Sequence, residues 1–343
     1  MDAKITKQRL KRLFSYEWIK ITAIAVALIF AWVMIFEFTE TRIKPSQRFT
    51  VFNHTQNKTL DLRTAEKIQG AFSEGVFSSE VIEIDYQDLS SAGIYAHQTL
   101  ESLLGVSDGD IILVPNTPNT ASATVDKDGD GEADKDEHGN TIYKYTYAES
   151  LINPYRKYMT DLNPQTEGSY FYELEEYLNN FYENGWRDKT SINTVKIEQA
   201  FRQRVQETRD KRYRNEKLLS SAIPDEIERI EKYRDAYEKL CGWLDSGLIC
   251  FNAPTHIEKN EDEHVVGYDG IVSLNICPDE NKMKNLKAYY SYAVYDGENK
   301  LSGYSAKDMS VVFFYNPKQE KSFEYESLLY VVWLIEQGMT PNT

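Results

Sequence analysis

Cysteine and histidine are scarce in this chain of 343 residues, with three of the first and five of the second. Three thiols, Cys241, Cys250 and Cys277, are too few for the disulfide framework on which small secreted domains rely. Cys241 and Cys250 would either close a small loop outside a cell or stay as unpaired small apolar residues, and Cys277 is left over in both cases. The histidines, at positions 54, 97, 138, 256 and 264, show no H-E-x-x-H spacing, so none is a candidate catalytic metal ligand. Also missing are G-x-x-x-x-G-K-[ST], G-x-S-x-G and C-x-x-C, which leaves P-loop, nucleophile-elbow and dithiol chemistry without a signal. Ser305 and Lys307 in GYSAK pair only in sequence, and no spacing singles out two of the many carboxylates as acid and base. The chain is expected not to be an enzyme. Positive charge is short as well. The net charge is −15, residues 1–20 contribute +4, and the rest therefore carries −19. Such a surface argues against nucleic acid and anionic lipid as partners and suits cations.

Against this polar background stands one long apolar run, residues 21–36, ITAIAVALIFAWVMIF, with no charge and Thr22 as its single polar member. As a helix it covers about 24 Å, and Trp18, Ile19 and a snorkelling Lys20 bring it near the roughly 30 Å hydrocarbon core. A transmembrane helix is expected over residues 21–38. Lys4, Lys7, Arg9, Lys11, Arg12 and Lys20 precede it against Asp2 and Glu17, which predicts a cytoplasmic tail at residues 1–20 and a C-terminus outside. A cleaved signal peptide is the rival reading. Its apolar region is shorter and ends at a small-x-small site, and Glu37-Phe38-Thr39-Glu40 offers none. A single-pass plasma-membrane anchor is therefore expected.

After a polar tether at residues 39–47 the pattern changes to alternating strand and helix. RFTVFN at 48–53 reads as a strand, and Ala65, Ile68, Phe72 and Val76 share one helical face. EVIEIDY at 80–86 alternates, with Val81, Glu83 and Asp85 expected outward. Ile94, Leu100, Leu103 and Leu104 mark a second helix, capped by Ser90 or Ser91 and closed by Gly105. GDIILVPN at 109–116 is the short apolar run of a strand buried on both faces. The order β-α-β-α-β predicts a parallel sheet whose ligand lies beyond the carboxyl ends of the strands. Those ends carry Asn53, His54, Tyr86 and Asn116, the candidate ligand-binding residues; as ordinary turn formers they would mean nothing.

The most specific motif lies at 126–137, DKDGDGEADKDE, which meets D-x-[DN]-x-[DN]-G-x5-E at every required position. Calcium takes six to eight oxygen ligands from a sharply turning chain. Asp126, Asp128 and Asp130 would each supply one oxygen, Glu132 its carbonyl, Asp134 a direct or water-bridged contact and Glu137 two oxygens, with Gly131 permitting the turn. The loop resembles the isolated calcium loops of dockerins and thrombospondin repeats, which implies a static Ca2+ rather than a sensor. A solvated acidic turn without an ion is the plain alternative. TIYKYTY at 141–147 alternates like a strand, placing the loop at the tip of a hairpin inserted into the sheet unit.

Residues 170–182 read as a tyrosine-rich amphipathic helix. Residues 196–219 form a charged one with Ile197, Phe201, Val205 and Thr208 inward, and Pro224 starts a third. GYDGIVSLN at 267–275 and VVFFYN at 311–316 read as strands, and residues 328–335 as an apolar closing helix. With GDIILVPN as third strand, GYDGIVSL as crossover strand and VVFFYNP before a helix, this order is similar to that of extracellular solute-binding proteins of bacterial transporters, over about 48–116 and 265–336. The resemblance implies a small solute held between lobes and an ABC transporter permease as partner. The expected organisation is 48–150 as an α/β unit with the calcium-loop insertion, 151–263 as a helical region, and 264–343 as returning strands and C-terminal helix. The expected function is a membrane-anchored solute-binding or sensing subunit. The alternative is a structural or accessory protein of a membrane complex that uses its long amphipathic helices as an interface.

Overall fold

The computed structural model describes residue 7 and residues 18–39, 47–55, 62–78, 81–90, 95–106, 108–120, 122–126, 128–159, 161–253, 258–259, 265–266, 270–271, 273–295, 300–314 and 325–339. The chain divides into two units, Met1–Lys44 and Pro45–Thr343. The first contains helix α1, Trp18–Thr39. Its stretch Trp18–Ile35 is long and apolar enough to cross a membrane, and none of it is buried against protein. A helix satisfies its own backbone hydrogen bonds, which hydrocarbon requires of any spanning segment.

The second unit is mixed α/β. In chain order it runs β1 Arg48–Asn53, α2 Leu62–Ser73, β2 Glu83–Asp88, α3 Ala96–Gly105, β3 Ile111–Pro115, α4 Tyr147–Ile152, α5 Tyr170–Asn179, α6 Thr194–Thr208 and α7 Glu216–Asp245. Then come β4 Cys250–Asn252, β5 Glu258–Lys259, β6 Val265–Val266, β7 Ser273–Asn275, β8 Tyr292–Tyr295, β9 Leu301–Ser305, β10 Met309–Phe313 and α8 Glu326–Met339. Six strands form one sheet in the order β2-β1-β3-β10-β7-β4. β1 is parallel to β2 and β3, whereas β10 is antiparallel to β3 and β7, and β4 is antiparallel to β7. The sheet is therefore mixed, where the sequence predicted parallel strands. Two further pairs, β5 with β6 and β8 with β9, stand apart from it.

Both faces of the sheet are covered. Phe49, Val51, Ile84, Ile111, Leu113, Val311 and Phe313 pack on one side with residues of α2, α5, α7 and α8. Phe52, Ile112, Val114 and Val312 pack on the other with Leu100 and Leu104 of α3 and Leu151 and Ile152 of α4. β3 feeds both cores, so Ile111, Ile112, Leu113 and Val114 are all fully buried. That is why its sequence is continuously apolar rather than alternating. Each such side chain contributes about 1.5–3 kcal/mol by leaving water.

Several expectations need correction. Val81 is buried and Ile82 is exposed, because β2 begins only at Glu83 and the alternation does not extend back to them. Residues 196–219 are not one helix: α6 ends at Arg209, whose φ of 50° is left-handed, and α7 starts after Asn215, whose side chain accepts from the Leu218 N–H at 3.0 Å. Pro224 sits inside α7 rather than at its start, where it forgoes one backbone bond. Residues 141–147 form isolated bridges, Thr141 with Lys135, Tyr143 with Thr124 and Thr146 with Pro118, and no named strand. Of the predicted strand at 267–275, only Ser273–Asn275 is strand, and 267–269 and 272 lie outside the described residues. All three thiols are free, with Cys277 buried.

Candidate functional site

The carboxyl ends of the three parallel strands are tied side by side by backbone bonds. His54 N–H donates to the Leu113 carbonyl at 2.9 Å, Leu89 N–H to Asn53 at 2.8 Å and Asn116 N–H to Asp308 at 2.8 Å. The turns after β1, β2 and β3 and the one before β10 thus share one sheet edge. Asn53 closes β1 and is only 6% exposed. Its amide nitrogen donates to Asp88 Oδ1 at 3.4 Å, while its Oδ1 is buried without a partner. Tyr86 registers with Val51 on the neighbouring strand, and its ring centroid lies 6.3 Å from that of Tyr290. Its hydroxyl is buried beside the Asn53 side chain, with no hydrogen bond of full geometry. Burial and the nearby Asp88 carboxylate push the phenol far above its usual range, against a smaller opposing effect of the Asn53 side chain, so it stays protonated. Asn116, just past β3, also has a buried and unpartnered Oδ1, three residues beyond the level of Asn53 along the sheet.

His54 sits differently. Its Nδ1 lies 2.5 Å from the Tyr147 hydroxyl at the start of α4. Burial, and to a lesser degree His97, hold the imidazole below its ordinary value, so it is neutral at pH 7. His97 in turn has Nδ1 2.8 Å from the Tyr155 hydroxyl, which donates its one hydrogen to the His97 carbonyl at 3.0 Å. His97 Nδ1 is therefore assigned as the donor in that pair. α4 is held by a complete capping box between Thr146 and Glu149, which fixes Tyr147 at its first turn.

Sequence reasoning missed Asp88, His97, Tyr147 and Asp308. Tyr147 and Asp308 reach the edge from distant parts of the chain, and nothing local marks them. Asp308 adopts a left-handed φ of 56° and accepts from Asn275 Nδ2 at 3.0 Å. Left-handed backbone at a non-glycine residue is paid for elsewhere in the fold, and here the Asn275 bond and the Asp308 N–H to Cys277 carbonyl bond at 2.8 Å hold it.

The acidic loop gathers part of its predicted ligand set. Carboxylate oxygens of Asp126, Asp128 and Asp130 all lie within 4.8 Å of one another, exposed to solvent. The Asp126 carboxylate accepts from Gly129 N–H at 2.7 Å and Gly131 N–H at 3.0 Å, which holds its pKa below the usual carboxylate range. Gly131, at φ 86°, makes the turn that a residue with a Cβ would resist. Glu132 and Asp134 follow outside this cluster, although the Asp134 backbone is anchored by bonds to Val125 and Ile142. Glu137 lies on the next turn, where it faces His138 at 3.5 Å rather than the three aspartates. The trio fits a hard cation in charge and oxygen chemistry, and the twelfth position does not join it in this conformation.

No protein-family model, curated protein or solved structure matches the chain. Its function has to be inferred from its own residues and their geometry.

Proposed function

We propose that this protein is a single-pass membrane-anchored, extracytoplasmic solute-binding or sensing subunit, with an ABC transporter permease as partner and a structural Ca2+ in the acidic loop. The observation that carries the reading is the carboxyl edge of β1 and β3, where Asn53 and Asn116 each keep a buried oxygen without a partner. Buried polar groups are nearly always satisfied, so the orphaned oxygens of Asn53, at the end of β1, and Asn116, just past β3, call for a ligand or bound water. Helix α1 supplies the anchor, and the basic residues before it supply the orientation, cytoplasmic N-terminus and external C-terminus. Asp126, Asp128 and Asp130 would hold the ion, and Glu137 would have to swing in to complete the shell. A Ca2+ there would neutralise neighbouring carboxylates and stiffen the loop.

A second reading, an accessory protein of a membrane complex, draws on the β8–β9 pair. Tyr295, Leu301 and Tyr304 are each more than two-fifths exposed there. Native mass spectrometry of the full chain extracted from its own membrane separates the two. A retained small molecule that Asn53→Ala releases supports capture. A clean protein mass together with a retained partner chain supports the accessory role and overturns capture.

A further inference from the structure

We infer that the groove along residues 140–146 docks an extended basic segment of a partner polypeptide, with a lysine or arginine at its Asp136 end and apolar side chains along the rest. The inference goes beyond solute capture and does not rest on it. The groove has a volume of about 540 Å³ and is lined by Asp136, Asn140, Thr141, Tyr143, Tyr145 and Pro118 among others. Isolated bridges Lys135–Thr141, Thr124–Tyr143 and Pro118–Thr146 hold this stretch against its neighbours. They also give it a direction, because Asp136 lies at the Thr141 end and Pro118 pairs with Thr146 at the other. Six steps of about 3.3 Å make the groove about 20 Å long, the span of about six extended residues.

Surface and charge choose the occupant. Pro118, Ile142, Tyr143 and Tyr145 give the groove the aromatic and aliphatic walls on which proline and aliphatic side chains of an extended chain pack. All its lining residues except Thr146 are half-buried or exposed, so a small solute would stay largely wet there, whereas a chain covers the whole length. The adjoining loop, residues 126–137, sets seven carboxylates against Lys127 and Lys135, a net charge of −5 that one Ca2+ would reduce to −3. Such a field attracts a basic segment and repels an acidic one. At the Pro118 end Lys144 already lies over the Tyr145 ring, with Nζ 5.5 Å from its centroid, which disfavours a second cation there. The basic side chain is therefore assigned to Asp136. That carboxylate accepts from His138 N–H at 2.9 Å, Asn140 N–H at 2.8 Å and Asn140 Nδ2 at 3.0 Å. A carboxylate offers about four acceptor positions, so one is left for an incoming N–H donor.

The test applies the full chain, in detergent with calcium, to an array of random hexapeptides and titrates the retained ones by fluorescence anisotropy. Retained peptides are expected to carry a lysine or arginine at one end and proline, aromatic or aliphatic residues beyond it. Asp136→Asn keeps an acceptor oxygen for the turn, removes the charge and touches none of the proposed Ca2+ ligands. It is expected to weaken the basic peptides about fivefold and to leave their glutamine-substituted forms unchanged. Tyr143→Ala is expected to weaken every retained peptide about tenfold. Should that variant melt at a lower temperature, Thr141→Lys is the second one; it adds a positive charge at the acidic end and is expected to repel the basic peptides. An array that retains nothing, retained peptides without a basic preference, or binding that neither Asp136→Asn nor Thr141→Lys weakens would overturn the proposal. Each of these results leaves capture at Asn53 standing or falling on its own test.

Discussion

Gly109→Ala and Gly242→Ala should move stability in opposite directions, although both are the same chemical change. At Gly109, between α3 and β3, an added Cβ would lie 2.6 Å from Phe52 Cε2 and 2.8 Å from Leu104 Cδ2. Carbon atoms settle at about 3.5–4.0 Å, so one partner must retreat by about 1 Å. Neither has room, because Phe52 is fully buried in the sheet and Leu104 is 4% exposed. Overpacking of this kind costs about 1–3 kcal/mol. At about 2–4 °C per kcal/mol for a unit this large, the melting temperature should fall by roughly 2–12 °C. Gly242 lies in the last turns of α7, where a Cβ meets nothing within 4 Å. There alanine should stabilise by up to about 1 kcal/mol, since glycine loses more chain entropy in a helix. Thermal melts of the full chain in detergent, followed by circular dichroism, compare the two. If Gly109→Ala melts at or above the parent temperature, the close approach of α3 to β1 and β3 is wrong.

Glu326 opens α8, fully buried, accepting from Tyr233 Oη at 2.7 Å and Ser78 N–H at 3.1 Å. Burial holds its carboxyl above the ordinary range. Between the ordinary and the raised value the folded chain keeps a proton that the unfolded chain releases, so stability falls as pH rises through that window. Glu326→Gln should remove this decline, and equal slopes of melting temperature against pH in the two proteins would count against it. The Arg229–Glu226 pair is buried in α7, so Glu226→Ala should cost about 3–5 kcal/mol in urea unfolding, and a loss below 1 kcal/mol would show that the pair does not matter. In calcium, the full chain should gain one ion by native mass, and Asp128→Ala with Asp130→Ala should abolish it; an unchanged mass at millimolar calcium would sink the Ca2+ proposal. Exposed Cys250 should react with a membrane-impermeant maleimide on intact cells, and labelling only after lysis would reverse the proposed topology.

Local pattern carried the elements that bury a face. RFTVFN became β1, GDIILVPN contained β3, and the apolar residues 328–335 fall within α8, because leaving water dominates at those positions. The antiparallel half of the sheet was harder to read. β4 and β7 are three residues each, too short for periodicity to register, and their pairing depends on β10, which lies far along the chain. Pro224 misled because proline at a helix start is the commoner use, whereas Asn215 supplies the cap here. At the edge, Asn53, His54 and Asn116 were legible as strand exits, whereas Tyr86 lies inside β2, whose exit is Asp88. Their partners Tyr147 and Asp308 were not, since only the fold brings residues 93 positions apart, such as His54 and Tyr147, into one hydrogen bond. In the acidic loop the motif states composition and spacing. Where Glu137 points is a matter of backbone conformation, and the turn formed by Asp136 and Asn140, with Asn140 N–H on Asp136 Oδ1 at 2.8 Å, carries it away from the aspartates.

Density at the carboxyl edge tests the central claim most directly. An experimental structure of the full chain, extracted from its native membrane and determined at about 2 Å, should show a bound solute hydrogen-bonded to Asn53 Oδ1 at the end of β1. If instead protein side chains close over that atom and pair with it, the edge is part of the core and the protein does not capture a solute there.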